Sequence, residues 1–279
     1  MPRHAILRVG PDRFQLLAQP RGRAVPPEIV GYRVVRDSIV RRQTSIPGYS
    51  RVREYVDPIL GTRVFLQYRS VRPGLPPFKV TVVGNDSRNL SAREFLQVVR
   101  VFKSYRLLLL ELAFDFPAES EIDIEFVRLH ALFGKCRPAP TRLFPNRALY
   151  GARKADKFVR CYLKESVGCF RVELELHSAW LRRNGILKFG DLGRLPGLLF
   201  PNHIRFVRFN WTAFTNYLAR RRVTGDVILD EARTHSYSIH RLMQFLRKDA
   251  GIVNVHRFLI PLPINRAVQT ALQNWSRQF

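Results

Sequence analysis

Residues 107–116, LLLLELAFDF, alternate along an extended chain. Leu108, Leu110, Leu112, Phe114 and Phe116 fall on one side, and Glu111, Ala113 and Asp115 on the other. The same design recurs twice. In 158–164, Val159, Cys161 and Leu163 oppose Arg160, Tyr162 and Lys164, and in 170–177, Phe170, Val172, Leu174 and Leu176 oppose Arg171, Glu173, Glu175 and His177. Three strands with one apolar and one charged face predict a sheet whose polar side carries chemistry. Further runs fill in the architecture. Two strands flank the turn DPILGT, FKVTVVGN is a third, and SAREFLQVVRVFKSY reads as a helix. In that helix Ser91 caps, Glu94 stands three residues on, and Phe95, Val98, Val99 and Phe102 form one stripe. EIDIEFVRLHALFG reads as a second helix ending at Gly134. The order β-β-β-α-β-α-β-β-β predicts an α+β domain, an antiparallel sheet with helices on one face, over residues 49–188. Residues 1–48, rich in Pro and Arg, read as an irregular or short-stranded lead-in. Residues 189–279 read as a mostly helical C-terminal region that supplies DNA recognition or dimer contacts.

The hairpin between the second and third alternating strands has a testable register. Its polar faces coincide only if paired residue numbers sum to an odd value. A four-residue loop from Ser166 to Cys169 meets that rule and sets Tyr162 opposite Glu173, Arg160 opposite Glu175 and Lys164 opposite Arg171. Like charges face to face are destabilising on their own, and two cations held together suit a phosphate.

Composition narrows the partner. The chain has 279 residues, 46% hydrophobic, with 20 Phe, so disorder is excluded despite the charge. A net charge of +25 spread along the whole chain points to a polyanion, nucleic acid first. No basic amphipathic helix or lipid-anchor motif stands out to favour a membrane surface. Cys136, Cys161 and Cys169 form no CxxC and suit reduced thiols packed as small apolar residues. No signal-peptide core is present at MPRHAILRVG, and a soluble cytoplasmic protein is expected.

The carboxylates Glu111, Asp115 and Glu173 on one sheet face repel unless a cation joins them, and hard oxygen ligands suit Mg²⁺ or Mn²⁺. Tyr162 lies on the same face between Arg160 and Lys164. A tyrosine is a poor nucleophile near its ordinary pKa, and flanking cations with a metal are what it needs to attack a phosphodiester. Tyr150, before a glycine at the end of a strand, is the rival nucleophile. Glu175 and His177 extend the polar face as further ligand or base candidates. His235 and His240 fit no metal spacing, and Trp180, Trp211 and Trp275 read as packing residues.

The stretches LLLLELAFDF, LYGARKADKFVRCYLKES and FRVELEL together resemble the replication initiation factors of rolling-circle plasmids, whose relatives occur in filamentous phages and as relaxases of integrative elements. In that family an R-x-D-x-x-x-D strand precedes Y-x-G-x-R-x-S, R-x-Y-x-K and R-x-E-x-x. The resemblance covers residues 60–185 and is most specific over 147–176. It implies an endonuclease and strand transferase that nicks an origin at a single-stranded or cruciform site and holds a 5′-phosphotyrosine link, with a helicase and a second copy of the chain as further partners. By position Tyr162 matches the nucleophile, with Lys164 and Arg160 beside it. Glu111, Asp115 and Glu173 match the acids, and Arg171, with Arg153 and Lys154, falls among the basic, DNA-binding positions. The chain departs from the pattern at Leu109 (arginine in the family), at Glu111 (aspartate), in the shortened YG, and in YLK for YDK. It also lacks a histidine–hydrophobic–histidine pair.

Two other readings stand beside this one: a non-enzymatic nucleic-acid-binding protein, and a basic structural component of a mobile element. An RNA-recognition sheet would place aromatics where this one has charges. The acids Glu111, Asp115 and Glu173 separate the enzyme from both, because a pure binder gains nothing from carboxylates facing phosphate.

Overall fold

The computed structural model describes residues 8–22, 25–26, 28–39, 48–85, 88–118, 120–134, 142–152, 155–200, 203–221 and 225–279. In chain order its elements are β1 (Arg8–Pro20), β2 (Arg33–Ile39), β3 (Tyr49–Val56), β4 (Arg63–Ser70), β5 (Phe78–Val83), α1 (Ala92–Val99), β6 (Phe102–Pro117), α2 (Ile124–His130) and β7 (Ala131–Leu132). There follow β8 (Arg142–Phe144), β9 (Arg147–Tyr150), β10 (Lys157–Lys164), β11 (Cys169–His177), α3 (Ser178–Arg183), α4 (Leu195–Leu199), β12 (Arg205–Phe209), α5 (Trp211–Arg221), α6 (Gly225–Thr234), α7 (Ile239–Lys248), β13 (Leu259–Pro261) and α8 (Ile264–Ser276). Among the described residues ten strands form one antiparallel sheet in the order β2-β3-β4-β5-β1-β6-β11-β10-β9-β8. The fold is α+β, with a large antiparallel sheet, packed helices and a helical C-terminal part.

Alternation builds the sheet's apolar face. Phe14 and Leu16 of β1, Val80 and Val82 of β5, Leu110, Leu112 and Phe114 of β6, and Val172 and Leu174 of β11 share one core. The pairing of β6 with β1 slips twice on β6, at Leu108 and at Lys103. A bulge leaves Leu108 unpaired between Leu107 and Leu109, so Leu107 rather than Leu108 enters the core. Helix α1 covers the core through Phe95, whose ring stacks on Phe14 at 4.0 Å between centroids. The Ser91–Glu94 capping box forms as expected. Burial alone would raise the Glu94 carboxyl, but bonds from Arg88, Thr62 and Ser91 hold it at about 2.

Several expectations are corrected. Residues 1–48 are not simply a lead-in: β1 lies in the middle of the sheet, paired to both β5 and β6. Phe102 and the residues after it belong to β6 rather than to the helix, because they pair with the end of β1. Helix α2 stops at His130, since Ala131 and Leu132 pair with β12. The boundary at 188/189 is not a clean division. Phe189, Leu192, Leu195, Leu199, Val268, Leu272 and Trp275 pack into the sheet core, while residues 207–258 of the helical part build a second core around Phe214, Leu242, Leu246 and Phe258. No described helix is long and apolar enough to cross a membrane.

Candidate active site

The hairpin β10–β11 closes through a one-turn 3₁₀ segment, Glu165–Val167, and Gly168 at φ +58°. Gly168 takes the left-handed conformation that ends the turn, a position glycine fills without a Cβ clash. The loop is therefore Glu165–Gly168, not Ser166–Cys169, and every pair slides by two. Arg160 faces Glu173, Tyr162 faces Arg171 and Lys164 faces Cys169. The parity rule holds, so the polar faces coincide. The Lys164–Arg171 pair does not form, and the phosphate clamp inferred from it is withdrawn.

Strand β6 sets Asp115 beside Arg171 and Glu111 beside Glu175. Strand β1 sets Arg13 beside Glu111. Asp12 is the extra residue of a β-bulge between Pro11 and Arg13, which brings its carboxylate to the charged cluster. Gly10 lies next to this bulge, where a Cβ would come within 2.8 Å of Asn89 Cβ, so close approach of β1 to Asn89 needs glycine there.

Arg160 is the hub of one half of the cluster. Its Nη2 reaches Glu173 Oε2 at 2.7 Å and Glu175 Oε1 at 3.5 Å, and it also bonds Glu111 Oε1. Arg13 Nη2 meets Glu111 Oε2 at 2.7 Å. Arg171 is the hub of the other half. Nε and Nη2 grip Asp115 at 2.6 and 2.8 Å, Nη1 donates to Asp12 at 2.6 Å, and Nη2 also donates to Asn89 at 3.1 Å. Lys164 Nζ lies 3.8 Å from Asp12. His177 Nε2 lies 3.3 Å from Glu175 Oε2. The Tyr162 hydroxyl donates to Glu173 Oε1.

Burial makes these contacts count. It pushes the Glu111 carboxyl up to about 7, against the opposing pull of Arg13 and Arg160, with Glu173 and Glu175 adding to the rise. Burial also acts to raise Glu175, but the His177 contact, Arg160 and Arg13 hold it below the ordinary value. Tyr162 is held well above the ordinary tyrosine range, first by burial and then by the charge of Glu173. The buried Arg171 stays charged because Asp115 and Asp12 outweigh its desolvation.

The structure thus brings Tyr162, Arg160, Lys164, Glu111, Glu173, Glu175 and His177 to one face, and it repositions others. Asp115 is engaged by Arg171. Among the described residues, Asp12, Glu111 and Glu173 each place one carboxylate oxygen within 4.8 Å of the others. This all-oxygen donor set fits a hard divalent cation such as Mg²⁺ or Mn²⁺. Arg171, expected among the DNA-binding positions, is 1% exposed and ringed by acids, so it orders carboxylates and does not reach the surface. Tyr150, the rival nucleophile, is buried against Phe133 and His240. Cys161 and Cys169 form no disulfide, are buried, and suit their expected packing role. Arg153, Lys154 and Cys136 lie outside the described residues. Sequence reasoning missed Asp12, Arg13 and Asn89. The signal for the first two was present: Phe14, Leu16 and Ala18 alternate as a strand, and a proline just before them is tolerated inside a sheet mainly at bulges and edges.

No known family's sequence profile matches the chain, and no curated protein does. Among solved structures the chain is similar to the rolling circle replication initiator protein from Geobacillus stearothermophilus, with 16% identity and a TM-score of 0.44 over 72% of this chain and 87% of that one.

Proposed function

We propose that this chain nicks one strand of DNA and transfers it through a 5′-phosphotyrosine intermediate, the initiating step of rolling-circle replication or transfer of a mobile element. The observation that carries this reading is the hydrogen bond from Tyr162 to Glu173, set within the carboxylates Asp12, Glu111 and Glu173 and flanked on its own strand by Arg160 and Lys164. The sequence resemblance over 147–176 supports it independently.

Tyr162 Oη attacks the phosphorus and forms the tyrosine–phosphate bond, the P–O3′ bond breaks, and the departing 3′ oxygen takes a proton from water and leaves as a hydroxyl. Glu173 is placed to take the tyrosine proton. Arg160, with side-chain exposure of 29%, and Lys164, at 10%, flank Tyr162 on its own strand and would balance the charge of a phosphate bound there. Asp12, Glu111 and Glu173 would hold Mg²⁺ or Mn²⁺. The bound cation would polarise the phosphodiester and favour the tyrosinate that burial disfavours. Asp115 and Asn89, through Arg171, fix the position of Asp12. The DNA partner follows from the +25 charge and this site together.

A second reading, a basic nucleic-acid-binding protein that does not cleave, is favoured by one observation. Arg13, Arg160 and Arg171 already neutralise the carboxylates that a metal would use. The deciding experiment mixes the protein with single-stranded DNA from its genetic neighbourhood, with and without Mn²⁺, and resolves covalent adducts on a denaturing gel. Adducts that need Mn²⁺ and vanish in Tyr162→Phe support the nickase. Tight binding to the cognate origin without an adduct supports the second reading.

A further inference from the structure

Most arginines on the sheet's charged face meet a carboxylate, but one group in the helical part does not. His256, in the 3₁₀ turn Val255–Phe258, has both ring nitrogens facing guanidinium groups. Arg205 Nη2 of β12 lies 2.8 Å from its Nδ1, and Arg247 Nη2 of α7 lies 2.5 Å from its Nε2. A neutral imidazole accepts at one nitrogen only and donates from the other, and a protonated one donates from both. In every protonation state at least one imidazole N–H is therefore turned toward a guanidinium N–H. Among the described residues no carboxylate lies within 4.0 Å of Arg205 or Arg247. Donors converge here from three separate elements, and an acceptor is what the arrangement lacks.

We propose that Arg205, Arg247 and His256 form a seat for one backbone phosphate of DNA, apart from the sheet face that carries Tyr162. A phosphodiester offers two anionic oxygens with lone pairs enough for both guanidinium groups and an imidazole N–H, which no neutral ligand supplies as well. Arg247 and His256 are exposed, so the seat is open to an extended polyanion and is not closed around a small one. Lys248 and Arg257, next in sequence to two of its members and also exposed, extend the positive surface. The inference rests on the DNA-acting reading above, and it gives the helical region a defined role as a second hold on the substrate. Contacts of this kind position a duplex or strand without reading its bases.

The test uses the full chain carrying Tyr162→Phe, without Mn²⁺, so that no strand chemistry enters. Its affinity for a 25-mer duplex and a 25-mer single strand is measured by fluorescence anisotropy across a series of NaCl concentrations, with and without Arg205→Gln/Arg247→Gln. Loss of one phosphate contact lowers the slope of log K against log salt by about 0.9 for a duplex and about 0.7 for a single strand. The expected result is that decrease, with several-fold weaker binding at low salt and convergence at high salt. Arg247→Lys, which keeps the charge, should retain most of the slope. Unchanged slopes in the double variant overturn the seat. Titration with inorganic phosphate is the second arm. If the trio binds phosphate but the DNA slopes do not move, the site serves a free anion and the DNA assignment is overturned. If the double variant fails to fold, the exposed Arg247→Gln alone is read in its place: a smaller slope and weaker low-salt binding are expected, and no change in either overturns the seat. A failed nicking assay would count against the catalytic reading and leave these binding slopes as they are.

Discussion

Arg160→Gln tests the internal balance of the site. In the folded protein this one guanidinium bonds Glu111, lies 2.7 Å from Glu173 and 3.5 Å from Glu175, and all three acids are buried. Removing one partner of a buried ion pair leaves uncompensated charge and costs about 3–5 kcal/mol. Arg160 is less than a third exposed, so screening does not remove that cost, and Gln cannot replace the charge. Glu111, already at about 7, is the group that can relieve the variant by taking up a proton. The loss should therefore be largest near pH 8 and shrink toward pH 6, by up to about 1.4 kcal/mol per pH unit. A divalent cation offers the other relief. If Mn²⁺ binds Asp12, Glu111 and Glu173, a hundredfold excess over its Kd adds about 2.7 kcal/mol, and the variant should gain more than the wild type because Arg160 no longer competes for two of the three acids. Urea unfolding of both proteins at pH 6 and pH 8, with and without 1 mM Mn²⁺, reads all three effects. A loss under about 1 kcal/mol at pH 8, or equal Mn²⁺ stabilisation of the two proteins, would mean that Arg160 does not hold these buried carboxylates in balance.

Further outcomes follow from the same structure. Asp12→Asn should abolish Mn²⁺ stabilisation and destabilise the protein by about 2–4 kcal/mol, since Arg171 loses a charged partner in a buried site; urea melts with and without Mn²⁺ check it. Glu111→Gln should flatten the pH dependence of stability between pH 4.5 and 7. The folded-state pKa of Glu111 is raised, so its contribution is present below the unfolded value and declines by about 3 kcal/mol as pH rises through 7, which a pH series of melts in EDTA reads directly. His240 behaves oppositely. Burial depresses it to about 4, so the protein should lose about 3 kcal/mol as pH falls from 6.5 to 4, and His240→Gln should remove most of that acid limb in the same melts. Phe95→Ala should cost about 3–5 kcal/mol in urea unfolding by opening the stack on Phe14 under β1 and the contact with Phe279.

The charged face was legible in the sequence because period-two alternation over β6, β10 and β11 leaves no choice of side once the apolar residues are buried. Which residues meet across the hairpin was not. Parity admits every register that differs by two, and the selecting feature is a single φ, that of Gly168, at the end of the turn. Asp12 was hidden for a related reason. A bulge breaks alternation, so a side chain that strict counting would turn away arrives among the acids. The burial of Arg171 and Tyr150 depends on what folds over them from distant parts of the chain: Asp12 and Asn89 in one case, Phe133 and His240 in the other. The capping box at Ser91 was readable because it is local, and the end of that helix was not, because Phe102 is claimed by pairing with β1.

Whether Tyr162 is the nucleophile can be read residue by residue, by mass spectrometry of the digested protein. The chain is incubated with cognate single-stranded DNA and Mn²⁺, the DNA is trimmed with nuclease, and the peptides are searched for an added nucleotide. The addition is expected on the peptide containing Tyr162 and is absent when Mn²⁺ is omitted. An addition on Tyr150 or another residue, or no addition where the cognate strand is demonstrably cut, would contradict it.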